Sequence, residues 1–83
     1  MLAIGDPEGE LAHEERRAAL AMAIAKLPPN QRLALILRYE EEFSYADIAA
    51  ALGVSVSAVR SLLVRAKHTL RRELAEFEKK SSD

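Results

Sequence analysis

Five cations, Arg60, Arg65, Lys67, Arg71 and Arg72, fall within thirteen residues of the sequence, with His68 among them and no Asp or Glu. An arginine presents a planar fork that pairs with O6 and N7 of guanine, worth about 1–3 kcal/mol of discrimination against a wrong base. Ser61 offers a hydroxyl for a base edge or a phosphate, and Val64 an apolar contact for a thymine methyl. Lys67, His68 and Arg71 lie further along and suit phosphates better than bases. A charged stretch is more often a solvated helix face, so this chemistry needs an element that gathers the groups on one exposed side.

Other chemistries find little support. The chain has no Cys, which excludes disulfides, thiolate metal sites and cysteine nucleophiles. His13 and His68 stand 55 positions apart without a carboxylate at ligand spacing, so no metal site is expected. Ser44, Ser55 and Ser61 lack a base or oxyanion arrangement. The Glu40–Glu42 run reads as a solvated helix end rather than a catalytic carboxylate cluster. No enzyme activity and no cofactor are expected. No apolar run reaches the ~20 residues that span a bilayer, and no signal peptide is visible, so the expected compartment is the cytoplasm.

The net charge of −1 alone argues against a nucleic-acid partner. Its distribution argues the other way. Residues 1–43 carry five Lys/Arg against eight Asp/Glu, and residues 44–83 carry seven against five. A local basic face matters more than the total.

The elements that must hold these groups are all helical, and 83 residues make one domain. Residues 1–9, with Gly5-Asp6-Pro7-Glu8-Gly9, read as a flexible linker or an artificial end. A first helix is expected over 10–26, its stripe set by Leu20, Ile24 and Leu27, before Pro28-Pro29 stops it. The second runs from Pro29 to about Glu40, with Leu33, Ile36 and Leu37 inward and fraying over the acidic end. Ser44-x-x-Asp47 resembles a capping box for the third, which buries Ile48, Ala49 and Leu52. Ser55 caps the fourth, where Val59, Leu62, Leu63, Ala66, Leu70, Leu74 and Phe77 recur at helical spacing. Tyr39 and Phe43 are expected at the edge of the core. The domain should span 10–78, and residues 79–83 should form a disordered tail.

One string combines these signals: Tyr45-x-x-Ile48-Ala49-x-x-Leu52-Gly53-Val54-x-x-x-x-Val59-x-x-Leu62. Ala49 must be small where a second helix crosses it, and Gly53 permits the sharp turn. Val54 and Val59 fill the angle between the helices. The spacing is that of a helix-turn-helix, whose second helix presents its N-terminal residues to base edges. The fold class expected is therefore all-α, a four-helix domain with a C-terminal helix-turn-helix and no wing.

Leu27-Pro28-Pro29-Asn30-Gln31-Arg32, Leu37-Arg38-Tyr39, Phe43 to Ala49 and Ser55 to Lys67 together resemble domain 4 (region 4) of bacterial RNA polymerase sigma factors, most of all the extracytoplasmic-function group. The resemblance spans about residues 11–74 and has no counterpart of sigma domain 2. It implies that the fourth helix reads the minus-35 promoter element in transcription initiation. By motif position Arg60, Ser61, Val64 and Arg65 would face DNA, with Ser57 and Ala58 nearby at the helix start. Tyr45 and Arg38 would lie near the phosphate backbone, and Lys67 would serve a phosphate. The implied partners are promoter DNA, the RNA polymerase core through its beta-subunit flap, and an anti-sigma factor. Many members of that group carry Arg where this chain has Leu62, and an aromatic or His where it has Val64, so the basic contact set is thinner here.

Two other readings fit some of the residues. A sigma-like interaction module, holding an anti-sigma factor or the flap without reading DNA, suits the net negative charge. A response-regulator output domain shares the helical plan, but the Leu27–Arg32 segment and the long run through Leu74 favour sigma.

Overall fold

A computed structural model of the chain describes residues 7–81, with side chains placed over residues 12–79. Four helices follow one another: α1 (Pro7–Ala25), α2 (Pro29–Tyr39), α3 (Tyr45–Leu52) and α4 (Val56–Ser81). Among the described residues there is no strand.

The helix ends explain the boundaries. Pro7 stands at the first position of α1, where its missing N–H would have had no partner. The helix thus begins inside the stretch expected to be a linker, whose first six residues lie outside the described ones. At the other end of α1, Lys26 N–H donates to the Met22 and Ala23 carbonyls and Leu27 N–H to Ile24. The Arg32 guanidinium reaches back from α2 to donate to the Ala25 carbonyl at 2.9 Å. Pro28 precedes α2 without a side-chain cap, and Pro29 opens it.

The acidic end of α2 is not frayed. Glu40 and Glu41 N–H both donate to the Ile36 carbonyl, and Phe43 N–H donates to Leu37 at 2.9 Å. The turn is closed by Glu42 in the left-handed region at φ 58°. These bonds satisfy carbonyls at the end of α2 that would otherwise need water.

The buried core comprises Leu27, Ala34, Leu35, Ile48, Ala49, Val59, Leu63 and Ala66, with Ala23 also buried. α4 packs against each of the other three helices and so organises the domain. The inward face of α2 differs from the expectation. Ala34 and Leu35 are buried, Ile36 and Leu37 partly so, while Leu33 is 44% exposed. Residues 33–37 are all apolar, so their periodicity does not single out a face. Packing against α4 does.

α4 also runs further than expected, so that residues 79–81, assigned to a disordered tail, are helical. Its second half lies along α1. Phe77 is partly buried, Glu78 meets Arg16 at 3.1 Å, and Glu73 meets Lys26 at 4.0 Å. Exposed pairs of this kind are each worth under about 1 kcal/mol. The apolar seam through Leu70, Leu74 and Phe77 supplies more.

Among the described residues no single helix is long and apolar enough to cross a membrane, and the one pair apolar enough together, α3 and α4, is bent by 97°.

Candidate nucleic-acid interface

The bend between α3 and α4 is made by residues with definite tasks. Gly53 sits at φ 70°, ψ 37°, the left-handed conformation that ends α3. Its N–H and that of Val54 both donate to the Ala49 carbonyl. Ile48 and Val59 are fully buried beneath the bend, and Leu52, Val54 and Leu62 pack around them. The 97° angle falls in the range for a helix-turn-helix.

Each helix start is capped. Ser44 Oγ accepts from Asp47 N–H at 3.0 Å, and Ser55 Oγ accepts from Ala58 N–H at 3.0 Å. The caps fix where α4 begins and therefore which residues it presents first.

Those first turns expose Ser57, Arg60, Ser61, Val64 and Arg65 to solvent. At 100° per residue Ser57, Arg60, Ser61 and Val64 span about a third of the helix circumference, opposite the buried Val59–Leu63–Ala66 edge. Val64 is 66% exposed, which leaves its methyls open to a partner. Arg65 stands at the far margin of this face. His68, Arg71 and Arg72 continue it toward the C-terminus and are also exposed. Arg16–Glu78 and Lys26–Glu73 pair charges elsewhere, and neither engages a cation of this face.

Not every expected residue lies there. Ala58 is partly buried. Lys67 is partly buried too, and its Nζ sits 5.1 Å from the centre of the Tyr39 ring, turned toward the end of α2. Tyr39 is 55% exposed rather than part of the core edge, while Phe43 does pack against the core.

Arg38 and Tyr45, both expected near the phosphate backbone, meet in the structure. The Arg38 guanidinium carbon lies 4.9 Å from the Tyr45 ring centre, and that of Arg60 lies 5.9 Å from the same centre. Both distances fall within cation–π reach. Arg38 is further held by a 2.9 Å hydrogen bond that it donates to the Phe43 carbonyl. This cluster joins α2, α3 and α4 at the edge of the exposed face. Sequence spacing carries no sign of it, because the three residues lie on three different helices.

Among the described residues no group of three His, Asp or Glu side chains converges as metal ligands would. The arrangement is a charged, hydroxyl-bearing helix face held rigidly at a bend.

Residues 17–70 match the model of the family described as sigma-70, region 4. The chain belongs to the sigma-70 region 4 family. Among its relatives is the RNA polymerase sigma factor FliA of Pseudomonas aeruginosa, 43% identical over 76 residues, 92% of this chain and 31% of the relative. The RNA polymerase sigma-E factor of Streptomyces avermitilis is 48% identical over 63 residues, 75% of this chain and 34% of that protein. The ECF RNA polymerase sigma factor SigE of Mycolicibacterium smegmatis is 40% identical over 73 residues, 86% of this chain and 28% of that protein. This region 4 domain therefore spans about a third of the length of the curated relatives it matches. As a sigma region 4 domain it is an all-helical helix-turn-helix unit rather than an enzyme, and region 4 is the part of a sigma factor that recognises the minus-35 promoter element.

Proposed function

We propose that this chain reads a minus-35 element in the major groove with the first half of α4, as one module of a sigma factor in transcription initiation. The observation that carries this reading is the joint exposure of Arg60, Ser61, Val64 and Arg65 on a helix standing at 97° to its predecessor. A helix so placed can enter the groove while the preceding helix crosses the backbone. Arg60 takes the base-reading role and Arg65 a base or phosphate at the margin. Ser61 and Ser57 supply hydroxyls, Val64 meets a thymine methyl, and Ala58 permits close approach. Arg38 and Tyr45 lie near the phosphate backbone, which Lys67 reaches on the α2 side. The partners are promoter DNA and the RNA polymerase core, contacted at its beta-subunit flap, with an anti-sigma factor as a competing ligand. The place of work is the cytoplasm. Tethering to polymerase supplies the effective concentration that a thin basic set needs.

Arg60→Ala tests it. The variant should lose about 1–3 kcal/mol of affinity for a duplex selected by the parent from a randomised pool, with helical circular dichroism intact. Unchanged affinity removes Arg60 from the reading role.

A protein-docking role without DNA is the second reading. It is favoured by Met22, 63% exposed at an open groove of about 430 Å³ formed with Ala19, Ala23, Glu73 and Phe77. Capture of an anti-sigma factor, together with failure to select any duplex, would establish it instead.

A further inference from the structure

Arg60 is exposed, yet its long side chain is not alone. A free arginine loses much rotamer entropy when it must adopt one geometry against a base. The Tyr45 ring offers a fixed surface at 5.9 Å from the Arg60 guanidinium carbon. That ring is itself restrained, since Tyr45 packs against the core and lies in the first turn of the Ser44-capped α3. Arg38 approaches the same ring at 4.9 Å and is anchored by its bond to the Phe43 carbonyl. Among the described residues, no carboxylate within ion-pair distance of either guanidinium competes for it. The ring is thus the fixed part, and the reading arginine is the part it steadies.

We propose that Tyr45 is a positioning residue for sequence reading: its ring holds the Arg60 guanidinium ready at the start of α4, with Arg38 bracing the ring. The role rests on the DNA reading above. It is separate from any phosphate contact made by the phenol, which would serve every sequence alike, because positioning needs the aromatic face and not the hydroxyl. Leu in place of Tyr45 retains apolar packing but loses the π face, and Phe retains both.

The experiment uses the full 83-residue chain in four forms beside the parent: Tyr45→Phe, Tyr45→Leu, Arg60→Ala and the Tyr45→Leu/Arg60→Ala pair. NMR of the free proteins reads ring-current shifts of the Arg60 side-chain protons. Fluorescence anisotropy reads binding to the selected duplex and to a scrambled duplex. Tyr45→Phe should keep the ring-current shift and the parent's preference for the selected over the scrambled duplex, any loss of the phenol falling equally on both. Tyr45→Leu should lose the shift and about fivefold in affinity for the selected duplex, with little change on the scrambled one. The pair should bind like Arg60→Ala alone, since Tyr45 acts through Arg60. Additive losses, or an equal loss for Tyr45→Phe and Tyr45→Leu, overturn the positioning role. So does an Arg60 proton shift that survives Tyr45→Leu. If the parent selects no duplex at all, the DNA reading falls and this role falls with it. Selection by the parent with additive losses removes this role only.

Discussion

The Arg38 guanidinium donates to the Phe43 carbonyl at 2.9 Å, tying the last turn of α2 to the segment that enters α3. The bond is partly buried and charge-assisted, and it spans the turn whose Glu42 sits at positive φ. The loop before the helix-turn-helix is therefore set by a side chain as well as by its own backbone.

Removing that side chain should loosen the turn. Arg38→Ala leaves the Phe43 carbonyl without its donor and deprives the Tyr45 ring of a cation. We expect a loss of about 1–2 kcal/mol in urea unfolding, the range for a partly exposed hydrogen bond to a charged group. Arg38→Lys should recover part of it. A midpoint unchanged by Arg38→Ala would show that the turn holds itself.

Gly53 has open space around the position of an added Cβ, and its cost on substitution comes from φ alone. Gly53→Ala should destabilise the domain by about 1–2 kcal/mol, and Gly53→Asn by less, because Asn tolerates the left-handed region. The order Gly, Asn, Ala in chemical denaturation is the readout. Equal stability of all three would mean that the bend does not need the left-handed conformation.

Capping and binding can be separated at Ser55. Ser55→Ala forfeits the bond from Ala58 N–H and should cost about 1 kcal/mol. Ser55→Asp caps as well and suits the helix dipole, so thermal stability should stay near that of the parent. The added negative charge, however, lies beside the reading face and should weaken DNA binding. A stable Ser55→Asp domain with undiminished affinity would place DNA away from this end of α4.

Binding should weaken as salt rises, because cations that meet phosphates release condensed counterions. Arg71 is exposed on the continuation of the face. Arg71→Ala should weaken selected and scrambled duplexes alike and lower the slope of log K against log salt by about 1. Anisotropy titrations over a salt series decide it. An Arg71→Ala effect confined to the selected duplex would assign that residue to base reading instead.

Much of the architecture was legible because local signals agreed. Both serine caps, the Gly53 turn and the seven-residue stripe of α4 each follow from short-range rules, and the structure places them where those rules say. α2 was not legible in the same way: five consecutive apolar residues do not choose a face, and Leu33 turned outward. The end of α4 is helical against its polar composition because Phe77 packs beside Ala19, Met22 and Ala23 of α1, a tertiary contact that local composition does not carry, with Glu78 meeting Arg16 beyond it. The exposed face could be read from positions off the stripe. The meeting of Arg38, Tyr45 and Arg60 could not, since it depends on how three helices cross.

α4 runs unbroken for 26 residues, about 39 Å, from the exposed face around Arg60 to the residues lying on α1. The residues that bury it most deeply, Val59, Leu63 and Ala66, all lie in its first half, in the same turns as Arg60, Ser61 and Val64. The exposed face and its anchor are thus two sides of one stretch of rod. A change along the half that lies on α1, near Lys26 and Glu73, should therefore leave the direction in which Arg60 points intact.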